Sequence, residues 1–176
     1  MKALYTLFIV LAMLTVGCAS APLAPVVTTA DAVPAAVVAD QQTEIQWHLL
    51  EDSTVFKALE EKKNIIVYVR TGTCPHCTEM EEVVFKDQMV VDILSAGYIM
   101  VFVDIDAFPE QGALFYGAGE GMIVPKMVFI QPDKDPKKWV TAEFVGATDA
   151  IGLLQLSIAA EEFFITKAID EADTAQ

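Results

Sequence analysis

The sequence predicts an α/β domain, a central mixed sheet flanked by helices. Two segments, Ile65–Val69 and Tyr98–Asp106, are almost wholly apolar, as strands covered on both faces are. A helical pattern joins them, so they form a βαβ unit with a parallel pair. Farther on, Ile123–Ile130 and Trp139–Val145 flank the turn residues Asp133-Lys134-Asp135-Pro136 and read as an antiparallel hairpin. The expected order is helix, strand, helix, strand, helix, hairpin, helix.

Each element has a local reason. Glu44–Leu50 reads as a short first strand or lead-in. Ser53 is a suitable N-cap for a helix reaching about Lys63, with Val55, Phe56 and Leu59 on one face. The Ile65–Val69 strand ends in the polar turn Thr71-Gly72-Thr73, and Cys74-Pro75-His76-Cys77 leads into a helix with Met80, Val83 and Val84 apolar. That helix is expected to break near Lys86-Asp87-Gln88, to resume with Val90, Ile93 and Leu94, and to end at Gly97. Phe108-Pro109 opens a loop and a weak helix over Glu110–Tyr116, and Gly117, Gly119 and Gly121 punctuate the next stretch. After the hairpin, Thr148 or Asp149 caps a last helix whose expected face is Ile151, Leu154, Ile158, Ile165 and Ala168.

The N-terminus reads differently. Lys2 precedes an uncharged apolar run, Ala3–Val16, followed by small residues, which is the pattern of an export signal. The run is shorter than the roughly 20 residues of a membrane-spanning helix. Leu14-Thr15-Val16-Gly17-Cys18 resembles a bacterial lipobox, with its leucine displaced by one position. The expected organisation is a lipoprotein-type signal over residues 1–17 and an Ala/Pro/Val-rich tether over 18–43. A domain over 44–170 and a flexible tail over 171–176 follow. Extended, the tether would reach up to about 75 Å. Lipidation at Cys18 would hold the domain on the periplasmic side of a membrane. Ala19 and Ser20 behind it lack the aspartate associated with inner-membrane retention, which points to the outer membrane.

The formal charge of -14 argues against nucleic acid as a partner, since that requires a basic surface. With three cysteines, one at the signal junction, no pair remains for a structural disulfide beyond Cys74 and Cys77. Two cysteines three apart at a strand-to-helix junction can close a small disulfide ring. The unpaired N–H groups and dipole of the helix start favour a thiolate there. This is the description of a redox dithiol that needs no cofactor. His76 is placed to donate to, or pair as imidazolium with, a Cys74 thiolate, while Glu79, Glu81 and Glu82 oppose that charge. Arg70 reads as a solvated surface side chain, with a fold-back over the site as the alternative.

Other uses of the cysteines are weighed against this. Zinc sites take four ligands and no second Cys pair exists. Haem attachment needs His directly after Cys77, where Thr78 stands. A copper-handling site with His48 or His76, an inert pair, and a non-catalytic binding module stay open.

Cys74-Pro75-His76-Cys77 after the first strong strand, with Val124-Pro125 before the hairpin, resembles the thioredoxin superfamily over roughly residues 44–167. The run from Val84-Phe85 through Val90, Leu94 and Tyr98–Asp106 is similar to exported domains related to the C-terminal part of DsbD. The Cys-Pro-His-Cys tetrad is the one associated with DsbA. The resemblance implies a thioredoxin fold and thiol–disulfide exchange, with Cys74 as the exposed sulfur and Cys77 as its resolving partner. Pro75 and His76 tune the pair. Pro125 is cis beside the dithiol, and Val124 offers backbone groups to an extended substrate. Expected partners are protein thiols and disulfides of the cell envelope and a redox partner that supplies or removes electrons. The tetrad favours an oxidant; the DsbD-like surroundings and the tether favour a reductant. Two positions depart from the family: Tyr68 stands six before Cys74, where relatives carry a buried acid, and Gly72-Thr73 replaces a tryptophan–glycine pair.

Overall fold

The computed structural model describes residues 43–116 and 123–174. Residues 1–42, with the expected signal, Cys18 and nearly all of the tether, lie outside them, as do Gly117, Gly119 and Gly121.

Five strands form one sheet in the order β1-β3-β2-β4-β5. They are β1 (Trp47–His48), β2 (Asn64–Arg70), β3 (Tyr98–Asp104), β4 (Lys126–Gln131) and β5 (Val140–Val145). β1 and β2 run parallel to β3 on its two sides, whereas β4 is antiparallel to both β2 and β5. The mixed sheet and its hairpin are thus as expected. The hairpin strands start later: Ile123, Val124 and Pro125 precede β4, and Trp139 follows a 3-10 turn over Pro136–Lys138. A proline lacks the N–H that a strand flanked on both sides requires.

Alternation along β2 divides the core. Ile66 and Tyr68 face one layer with α2 (Pro75–Glu82), α3 (Gln88–Gly97) and α5 (Ala150–Thr174). Ile65, Val67 and Val69 face the other, with α1 (Asp52–Glu61) and α4 (Pro109–Ala113). Both cysteines of the tetrad belong to the first layer. The break after α2 falls where it was expected: a 3-10 turn spans Val84–Lys86, and Asp87 caps α3 by accepting from the amides of Met89 and Val90. Asp149 caps α5, its Oδ1 accepting from Gly152 N–H at 2.7 Å.

Several local expectations are corrected. Glu51, not Ser53, is the N-cap of α1, and its side chain makes no capping bond. The buried residues of α1 are Thr54 and Ala58, and Phe56 is exposed. α1 ends close to the expected Lys63, with Lys62 in the left-handed region, φ 54°, as its C-cap. Gly97 is the last helical residue of α3, and the extended Tyr98 is the cap. In α5 the buried positions are Leu153, Ser157, Ala160 and Phe164, whereas Ile151, Ile158 and Ile165 face outward. Hydrophobicity alone misplaced that face. In the buried row the Ser157 backbone carbonyl accepts the buried Tyr98 hydroxyl at 3.1 Å. The helix runs on to Thr174.

Candidate functional site: the Cys74–Cys77 disulfide

The site is built at the end of β2. Its last residue, Arg70, pairs with Asp104 of β3, so the following turn starts from the middle of the sheet. That turn is clamped twice. Gly72 N–H donates to Asp106 Oδ2 at 2.7 Å, and the Arg70 guanidinium donates to Thr71 O at 2.9 and 3.1 Å. A Cβ at Gly72 would lie 3.3 Å from that Asp106 oxygen, so the close backbone approach favours glycine.

Cys74 is the N-cap of α2, in extended backbone, and Pro75 occupies the first turn, where its missing N–H costs nothing. The Cys77 amide donates to Cys74 Sγ at 3.1 Å. Cys74 and Cys77 are joined as a disulfide with Cα atoms 5.3 Å apart. The pair is asymmetric: Cys74 keeps 8 % of its surface exposed and Cys77 keeps 0 %. An incoming thiolate therefore meets Cys74 first. When the bond opens, the Cys77 N–H and the helix start remain aimed at the Cys74 sulfur and favour its anionic form.

The Val124–Pro125 peptide is cis. Register places it at the same end of the sheet as the disulfide, since Lys126, the next residue, pairs with Val69. Val124 packs against the hydrophobic cluster that holds both cysteines. Pro125 O accepts from Gly146 N–H at 2.8 Å, which ties this corner to the end of β5. His76 points outward: its side chain is 71 % exposed, and Nδ1 stands 3.7 Å from Glu79 Oε2. His48 lies on the other layer with its Nε2 3.2 Å from Lys57 Nζ. Among the described residues, no three or more His, Cys, Asp or Glu side chains converge as a metal site.

Behind the disulfide, Tyr68 is fully buried and its hydroxyl donates to Cys77 O at 3.1 Å. Burial first, then the charge of Glu81, holds the Tyr68 proton well above the ordinary phenol range, with Arg70 opposing. Trp47, Phe85 and Phe102 surround the ring, with Phe85 edge-on at 4.9 Å. Arg70 is not the solvated side chain expected. It is 15 % exposed, lies over the Phe102 ring, and donates through Nη1 to Glu81 Oε2 at 3.0 Å. This is the fold-back kept as the alternative, and Glu81, four after Cys77 and on its helix face, is the carboxylate that Arg70 meets. Asp106 was missed: nothing local marks a strand-end carboxylate as the anchor of a distant turn.

The family described as Thioredox_DsbH, "Protein of unknown function, DUF255", matches residues 31–167. The chain belongs to this family. Among solved structures, a thioredoxin from Thermus thermophilus is similar at 19 % identity and TM-score 0.55, over 69 % of this chain and 88 % of that one. A DsbH oxidoreductase is similar at 18 % identity and TM-score 0.50, again over 69 % and 88 %. The oxidised DsbD c-terminal domain of Neisseria meningitidis gives 16 % identity and TM-score 0.46 over 61 % and 90 %. At such identities the likeness is one of fold, and the fold is thioredoxin-like. No curated protein matches the sequence.

Proposed function

We propose that this member of the Thioredox_DsbH family is an exported thiol–disulfide oxidoreductase that exchanges disulfides with envelope proteins through Cys74 and Cys77. One observation carries the reading: a disulfide at a helix start with one sulfur at the surface and the other sealed beneath it. In the oxidising direction a substrate thiolate attacks Cys74 Sγ and Cys77 leaves with the electron pair. In the reducing direction the Cys74 thiolate attacks a substrate disulfide and Cys77 resolves the mixed disulfide.

Pro75 fixes the first turn that aims the Cys77 amide at Cys74. His76, at the surface beside the pair, adds positive charge when protonated. Val124 and Pro125 offer an extended substrate its docking edge. The signal pattern and Cys18 support export and lipid anchoring on the periplasmic side, with the outer membrane as the proposed site. Among the described residues no helix is long and apolar enough to cross a membrane. Direction follows from the reduction potential. A value near about -120 mV marks a disulfide donor and one near about -270 mV a reductase fed with electrons. Replacing Cys74→Ser is expected to abolish dithiol oxidation and insulin-disulfide reduction alike. Undiminished turnover by that variant would overturn the reading.

A further inference from the structure

Lys126 opens β4 and follows Pro125 directly, yet only 8 % of its surface is exposed. Lysines are seldom buried so deeply unless they are paired. This one meets groups from separate parts of the chain. Nζ donates to Phe115 O, just past the end of α4, and stands 2.7 Å from Glu143 Oε2 on β5. It also lies over the Tyr116 ring, 5.5 Å from its centre. Lys126 pairs with Val69, so the two side chains share one face of the sheet, in the layer of α1 and α4. The disulfide belongs to the other layer. Any effect of Lys126 on exchange therefore passes through the groups it holds.

Those groups frame the docking edge at Val124 and Pro125. α4 has five residues, too few to hold a helix by its own hydrogen bonds, and the carbonyls at its end need donors from elsewhere. Lys126 supplies one of them. Phe115, Tyr116 and Val124 pack against the same buried cluster. On the other flank, Gly146 N–H donates to Pro125 O at 2.8 Å, and Glu143 lies on the strand that leads to that bond. Taking an ammonium out of water is expensive, and an apolar side chain of similar length would often serve stability as well. What the charge adds is geometry: one group holds the end of α4, the start of β4 and β5 at fixed places.

We propose that Lys126 is a positioning residue for client binding. By pinning the end of α4 to β4 and β5, it fixes Phe115 and Tyr116 on the flank of the Val124–Pro125 edge, so that an extended client meets a preformed shoulder. Preformed contacts raise affinity because no segment has to be ordered on binding. Lys126 can matter to a client only if the exchange proposed above occurs, and its own contribution is to affinity for a polypeptide, not to the chemistry at sulfur.

The test is single-turnover reduction of two disulfides by the reduced full chain. One is a fluorescent peptide disulfide. The other is bis(2-hydroxyethyl) disulfide, which has no peptide to lay along the edge. Varying the concentration of each separates half-saturation from limiting rate. Lys126→Met is expected to raise the half-saturating peptide concentration about 10-fold while the limiting rate holds, the pattern of lost binding. Its reaction with the small disulfide should change far less. Lys126→Arg, which keeps a cation with several donors, should bring the peptide value back toward wild type. Near-ultraviolet circular dichroism monitors the fold. If Lys126→Met does not fold, Glu143→Ala, at a half-exposed position, should shift the peptide value in the same direction. An unchanged peptide value, or equal losses with both disulfides, in the folded variant overturns this inference alone. A wild-type chain that reduces neither disulfide overturns the exchange reading and this one with it.

Discussion

At the scale of single residues, the cysteines were legible because their spacing and their place at a strand-to-helix junction encode their geometry. Arg70 was not, because its partners lie eleven residues ahead on α2 and across the sheet on β3. A charged side chain at a strand end reads as surface unless the fold brings a carboxylate to it. Asp87 shows the opposite case. It follows a 3-10 turn, and its Oδ1 accepts from Met89 N–H at 2.9 Å and Val90 N–H at 3.4 Å, a purely local arrangement. Asp87→Ala is expected to lower unfolding stability by about 1 kcal/mol. The change should appear in the denaturant midpoint with the slope unchanged. Exchange rates should stay at the wild-type level, since the cap does not touch the disulfide.

At the scale of elements, strands were read more securely than helix faces. β2 and β3 are apolar on both sides, so no choice of face enters their recognition. α5 is apolar around much of its circumference, and the sequence leaves two rows in competition. Packing selects the row of Leu153, Ser157, Ala160 and Phe164, because Tyr98 and Asn64 tie the helix down through Ser157 O and Glu161 Oε1. The two rows should differ sharply on truncation. Phe164→Ala, at a fully buried position, is expected to cost about 3–5 kcal/mol. Ile165→Ala, one residue on and exposed, should stay within about 0.5 kcal/mol. Equal losses in chemical denaturation would contradict the assigned face.

At the scale of the whole molecule, topology sets the two layers apart: α1 and α4 cover one face, while the other carries the disulfide with α2, α3 and α5. The mixed sheet was readable from the order of elements. The turn anchored by Asp106 was not, since it joins segments 34 residues apart. Cys18 bears on where the whole chain resides. Its replacement by Ser is expected to move the protein from the membrane fraction to the soluble envelope fraction. Continued membrane partition would remove the lipid-anchor proposal without touching the exchange chemistry. The unequal burial of the two sulfurs also sets the regiochemistry of the proposed exchange. In the proposed exchange, whichever way electrons flow, a client would be joined to the chain through Cys74, the sulfur at the surface, and not through the sealed Cys77. On that proposal, clients differing in shape and sequence would all be held by one atom at one address.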